Sequence, residues 1–260
     1  YPGPYTYKRF WFRDAALIAN GLLCGNLTGL AERVFARFFP RQRLDGYFHS
    51  QEGEWDSNGQ VLWILQQYRV LTGRPAPAEW QAAVAHGADW LVRKRGQAAG
   101  ELHDGLLPPG FSAEHLGNND YYYWDDFWAW AGLLAATELL QDGEDMARAR
   151  QYREQATAMG NAIENSLSAS RHIRATDALP ASPYRRMDAG AIGSLAASYP
   201  LQLLPPEDPR VLATVDYLQQ ASWVHGAFFQ NMVHSGLNAY LTLHVAQVLL
   251  RAGRPEFQEA

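Results

Sequence analysis

The sequence predicts an all-α fold, a barrel of helical hairpins, on three observations. Helical periods dominate the whole chain. The helices alternate strictly between two kinds, apolar nearly all round and apolar on one face only. The connections alternate as well, short after each apolar helix and long before the next one. All-round apolar helices belong inside a structure and one-faced helices on its outside. The pattern therefore describes an inner and an outer ring, with the long connections emerging at one end. It reads as one domain over residues 1–260, an α/α barrel lacking one or two terminal helices and a segment of a longer chain.

Taken in order, the inner helices are "AALIANGLLCG" (15–25), "VLWILQQYRVL" (61–71), "FWAWAGLLAATELL" (127–140), "AGAIGSLAASY" (189–199) and "LNAYLTLHVAQVLL" (237–250). Between them run the outer helices "LAERVFARFFPRQR" (30–43), "AEWQAAVAHGADWLVRKRG" (78–96), "EDMARARQYREQATAMGNAIENSL" (144–167) and "DPRVLATVDYLQQ" (208–220). A further helix starts at "PEFQEA". Gly and Pro mark the short turns "GNLTG", "TGRPAP", "QDGED" and "RAGRP". The long connections, such as "LDGYFHSQEGEWDSNG" and "SASRHIRATDALPASPYRRMD", exceed what compact domains use unless the loop has a function.

Composition narrows the function. A net charge of −5 and a pI near 5.9 argue against a nucleic-acid partner. No apolar run reaches the roughly 18 residues that span a bilayer, so no membrane partner is expected. The single cysteine excludes a disulfide framework and a Cys-based zinc cluster, and its place in an apolar helix predicts a buried thiol at Cys24. His225, His234 and His244 are spaced nine and ten apart, without the i, i+4 pairing of a helical zinc site. Neither metal nor cofactor is implied. The chain opens on Tyr1 with neither initiator Met nor signal peptide.

Each long connection brings an aromatic and charged cluster to the start of an inner helix: "YTYKRFWFRD" (5–14), "QEGEWDSNG" (51–59), "NNDYYYWDD" (118–126), "SPYRRMD" (182–188) and "WVHGAFFQNMVHSGLN" (223–238). Converging on one rim, they would wall a pocket with rings and line it with acids, amides and arginines. A sugar asks for such a site, its C–H face on aromatic rings and its hydroxyls on a few polar groups. The residues expected there are Trp11, Arg13, Asp14, Trp55, Tyr123, Trp124, Arg186, Asp188, His225, Gln230 and His234. Helix capping competes with this reading at Asp14, Asp56, Asp126, Asp188 and Asn238, since Asp and Asn are favoured N-caps. Capping explains the acids but not the Trp and Arg residues beside them.

Four of these segments resemble one family. "FWFRDAALIANGLL" is similar to the Trp-x-Arg-Asp entry of the glucoamylase family and its relatives among six-hairpin glycosidases. "EWDSNGQVLWIL" resembles the segment before a later inner helix of those enzymes, and "MDAGAIGSLAASYPL" their Asp-Ala-Ser-apolar helix. "YYYWDDFWAW" stands where the family has a Trp-Glu pair. The resemblance runs from residue 5 to about 253. It implies an (α/α)₆ barrel and inverting hydrolysis of a glycosidic bond, α-linked, in a carbohydrate substrate. Arg13 and Asp14 would hold sugar hydroxyls, and Asp125 or Asp126 would stand as the general acid. The sequence departs from the family in two places. The acid is Asp instead of Glu, and "HGAFFQNMVHSGLN", where the family carries its base, contains no acidic residue.

Inverting glycosidases need two carboxyls roughly 6.5–9.5 Å apart, with the acid kept protonated by apolar surroundings or a neighbouring carboxylate. Asp125 and Asp126 among rings offer both causes. Asp56, Glu54, Glu114 and Asp188 are the candidate bases. Three further readings use the same residues: an epimerase working through His225 and His234, a phosphorylase in which phosphate replaces water and base, and a carbohydrate-binding domain without turnover.

Overall fold

In the computed structural model, residues 9–111, 119–143, 145–232 and 235–258 are described. The fold is all-α, with one short three-stranded sheet. Helices follow the predicted order: α1 (Phe12–Cys24), α2 (Thr28–Phe35), α3 (Ser57–Thr72), α4 (Gln81–Lys94), α5 (Tyr123–Asp142), α6 (Met146–Arg174), α7 (Pro209–Ala221) and α8 (Ala239–Arg251). Among the described residues no helix is long and apolar enough to cross a membrane. Two compact units divide the chain, residues 1–95 with 128–160, and residues 96–127 with 161–260.

In the first unit, α3 is buried on every side from Ser57 to Leu65, the polar Ser57, Asn58 and Gln60 included, while Val70 and Leu71 near its end are exposed. It ends at Gly73, whose φ of 68° is a left-handed conformation that favours glycine. α3 meets α5 almost backbone to backbone. A Cβ on Gly59 would lie 2.1 Å from the Trp128 carbonyl oxygen, and one on Gly132 would lie 2.7 Å from the Gly59 Cα. Arg69 of α3 pairs with Asp142 at 2.7 Å and with Glu138 at 3.4 Å further along the same contact. α4 leaves only the stripe of Ala82, His86 and Arg93 exposed, and α6 reaches it through the Tyr152 hydroxyl, which bonds Asp89 at 2.7 Å.

In the second unit, residues 189–197 form a 3-10 helix where an α-helix was predicted. Side chains three apart eclipse in that tighter winding, which crowds large ones. Here two of the three rows hold only Gly, Ala and Ser (Gly190, Gly193, Ala196; Ala191, Ser194, Ala197), so the winding is accommodated, and α7 and α8 both pack on it. Residues 255–258, predicted to start another helix, are a 3-10 turn. The small sheet is a hairpin in a segment expected to be loop: β1 (Trp223–Val224), β2 (Ala227–Gln230) and β3 (Gly236–Leu237), in the order β1-β2-β3. Its two-residue turn, His225-Gly226, has positive φ at both positions, 52° and 79°, as the favoured hairpin turn demands.

Two burial expectations are corrected. Cys24 is exposed, because the buried stripe of α1 runs through Phe12, Ala16, Ala19 and Leu23, and the next residue points about 100° away from it. The outer sides of α1 and α8 are also open, with Ile18 60% and Leu243 61% exposed, although both sequences read as apolar all round.

Candidate active site

In the first unit, the segments entering α1 and α3 meet. The Phe12 N–H donates to Ser50 Oγ at 3.1 Å. Arg13 Nη1 lies 3.1 Å from Asp56 Oδ2 and 3.7 Å from Glu54 Oε2. Asp56 occupies the N-cap position of α3, but its side chain makes no capping bond and instead accepts Gln60 Nε2 at 2.8 Å. Both carboxylates are buried, and Arg13 is nearly so. Trp11 is half-buried at the entry of α1, and Asp14 is half-buried in its first turn. Arg13 Nη1 therefore faces two acids of the next cluster. Trp55 is buried against Tyr47 and Trp90, with Lys94 Nζ 3.6 Å above its ring.

In the second unit, three long connections converge on one cavity of about 700 Å³. Asp120, Arg185, Arg186, Asp188, Tyr217 and Asn231 are among the residues that line it. Asp188 does two things at once. One oxygen takes Arg185 Nε and Nη2 at 3.0 and 2.6 Å, and the other accepts the Gly190 N–H at 2.8 Å and caps the 3-10 helix. Asp120 accepts the Ser182 hydroxyl at 2.6 Å. Arg185 Nη1 donates to the Tyr122 hydroxyl at 3.1 Å. Burial pushes that phenol up to about 12; Arg185 opposes the shift, and the carboxylates of Asp120 and Asp125 add to it. Asp125 is thus in electrostatic reach of a group bonded to the cavity wall. Guanidinium, carboxylate and amide groups around one concavity suit a ligand rich in hydroxyls.

Asp125 and Asp126 sit inside the first turn of α5, which begins at Tyr123 and not near Asp126 as the sequence led us to expect. Both are buried. Asp126 is consequently no N-cap of α5; its Oδ1 accepts the Leu107 N–H at 2.9 Å across the chain. Tyr123 and Trp124 are buried, Tyr123 bonding Ser166 Oγ at 2.7 Å. His225 is exposed at the hairpin tip. Gln230 is buried and accepts Asn238 Nδ2 at 2.9 Å, holding the residue that caps α8. His234 and Glu114 lie outside the described residues. Among the described residues no cluster of His, Cys, Asp and Glu is arranged to hold a metal.

Sequence reasoning did not single out Asp120, Tyr122 or Tyr217. The first two stand in the quoted cluster 118–126, where the run of rings before the paired aspartates drew attention away from them. Tyr217 comes from the outer helix α7, and no local pattern marks it.

No family model and no curated protein sequence matches the chain. Solved structures do. A wild-type glycosidase superposes with a TM-score of 0.69 at 17% identity, over 96% of this chain and 71% of that one. A variant glycosidase in complex with glucose gives 0.66 at 16%, over 95% and 71%. A bacterial glucoamylase complexed with acarbose gives 0.67 at 13%, over 95% of this chain and 41% of that one. At these identities the likeness establishes the fold: the chain shares the helical fold of these glycosidases.

Proposed function

We propose that the protein is a glycoside hydrolase that cleaves a glucosidic bond, α-linked, in an oligosaccharide or glycoside. The carrying observation is the cavity lined by Asp120, Arg185, Arg186 and Asp188, groups that match sugar hydroxyls. The shared fold with glycosidases supports the same class.

Asp125 is the proposed general acid. The residue is buried, 1% exposed, and the role asks it to hold its proton until the glycosidic oxygen takes it. Its proton passes to the glycosidic oxygen as the bond from that oxygen to the anomeric carbon breaks, and the leaving sugar departs as an alcohol. A water then adds to the opposite face of the anomeric carbon and gives its proton to a carboxylate, so the configuration inverts. That base must be ionised. Arg186 and Asp188 are proposed to hold sugar hydroxyls.

The test is turnover of matched α- and β-linked glucosides, with the anomer of the first-formed glucose read by proton NMR. The β-anomer released from an α-glucoside supports the reading; the α-anomer contradicts inversion, and no turnover of any glucoside contradicts hydrolysis. One observation favours binding without turnover as a second reading: Asp120 and Asp188, both on the cavity wall, are each engaged by hydrogen bonds. Calorimetric binding of glucosides that are never cleaved would establish it.

A further inference from the structure

The charged groups on the cavity wall of the second unit are not used alike. Arg185 and Asp188 neutralise each other at 2.6 Å. Asp120 accepts the Ser182 hydroxyl at 2.6 Å and the Tyr121 N–H at 2.8 Å. Arg186 lines the same cavity and is exposed, and its side chain makes no hydrogen bond or ion pair among the described residues. The Tyr217 hydroxyl, on the same lining, makes no hydrogen bond among them either. The two feel each other's field: burial raises the Tyr217 phenol above its ordinary value, Asp188 adds to the shift, and Arg186 opposes it.

Other arginines of this unit are tied to the protein. Arg171, Arg185, Arg210 and Arg254 each pair with a carboxylate. Arg186 alone among the charged wall residues keeps its donors for something in the cavity. Sugar hydroxyls do not exhaust it, because a guanidinium carries five donors in a planar fork and neutral hydroxyls leave its charge uncompensated. Its closest complement is an oxyanion, which takes two parallel N–H bonds, each about twice as strong as a bond between neutral groups. The Tyr217 hydroxyl can donate a further bond to the same oxygens. A cavity wall also screens such a pair less than open surface does.

We propose that Arg186 is the anion-binding group of the cavity, so that the glycoside it takes is acidic, carrying a carboxylate or a phosphate ester. This rests on the cavity being a sugar site. The probes are methyl α-glucoside, methyl α-glucuronide and α-glucose 1-phosphate, with inorganic phosphate as a sugar-free anion. Each is titrated by calorimetry into wild type, Arg186→Gln and Arg186→Lys. One or both acidic glycosides should bind wild type about 10-fold tighter than methyl α-glucoside, the scale of one charge-assisted contact. That advantage should shrink as salt is raised. Arg186→Gln, which still offers an amide to a hydroxyl, should remove the advantage, and Arg186→Lys, which keeps the charge, should retain part of it. Equal affinity for neutral and acidic glycosides, or an advantage that survives Arg186→Gln, overturns the proposal and leaves the hydrolase reading standing. Inorganic phosphate held through Arg186 as tightly as α-glucose 1-phosphate makes a free anion the occupant and overturns it as well. An acidic glycoside bound through Arg186, in a protein that turns over no glucoside, neutral or acidic, supports the proposal and contradicts the hydrolase reading. Binding of none of the probes overturns the proposal, and turnover of other glucosides then judges the hydrolase reading separately.

Discussion

The guanidinium of Arg13 lies 3.1 Å from Asp56 Oδ2, joining the start of α1 to the start of α3 with both side chains almost out of water. The pair also takes in Glu54, so one cation serves two buried acids. Removing it takes a cation from both. Breaking a buried pair from one side costs about 3–5 kcal/mol. Arg13→Met should therefore lower the urea midpoint steeply, and Arg13→Lys, which keeps charge but loses the planar fork, should lower it less. A midpoint unchanged in Arg13→Met would show that the pair contributes nothing to stability and return Arg13 to a purely sugar-holding role.

Gly59 permits a close helix contact in the first unit. A methyl at that position would sit 2.1 Å from the Trp128 carbonyl oxygen, and backbone on both sides cannot step aside without moving a helix. Overpacking of this kind costs about 1–3 kcal/mol and sometimes more. Gly59→Ala should lie at the upper end, with a clear fall in Tm by calorimetry. Gly29→Ala, where the added methyl meets nothing within 4 Å, is the control expected to leave Tm nearly unchanged.

His244 supplies a pH dependence. Burial lowers its imidazole to about 4, against an ordinary value of 6.5, while the Nε2–H donates to the Tyr199 carbonyl at 2.6 Å and partly opposes the shift. The unfolded chain therefore binds the proton more readily than the folded one. The stability that neutral His244 contributes is complete above about pH 6.5 and is lost as pH falls toward 4. It amounts to about 3 kcal/mol in all, at roughly 1.4 kcal/mol for each tenfold difference in proton affinity. His244→Gln keeps a donor for Tyr199 without titrating. Urea melts from about pH 7 to about pH 4.5 should show wild type losing stability faster than the variant. Parallel curves would mean that His244 is protonated in the fold without penalty.

Helix order was legible because it depends on period, and period is local. α3 is buried all round over Val61–Leu65, and α5 buries most of its length, as their apolar sequences lead one to expect. What the sequence hid depends on pairing across distance or on special backbone. Nothing near Arg13 indicates that its partner is Asp56 and not Asp14. The hairpin had a signal, His225-Gly226 between ring-bearing segments, that was read as site chemistry instead of turn chemistry. The company rings keep was hidden as well: Tyr123, Trp124 and Trp55 are buried, while His103 and Tyr184 come together with Tyr121 from segments far apart in sequence.

Asp126 should behave differently from its neighbour. It accepts the Leu107 N–H, and an asparagine oxygen can accept the same bond. Asp126→Asn should keep both fold and activity, whereas Asp126→Ala leaves a buried N–H unsatisfied and should cost about 1–3 kcal/mol. Urea denaturation of the two variants checks the difference; equal losses would show that the charge, not the bond, matters there.

The most direct test of the central claim is the turnover of α-linked glucosides by Asp125→Asn. The change removes the transferable proton and keeps shape and hydrogen bonding, and general acid catalysis contributes on the order of 10²–10⁴ in rate. If Asp125 is the acid, kcat falls by that order while calorimetric affinity for the sugar and Tm stay close to wild type. Unreduced kcat in Asp125→Asn, or activity lost in Asp126→Asn and kept in Asp125→Asn, would contradict it.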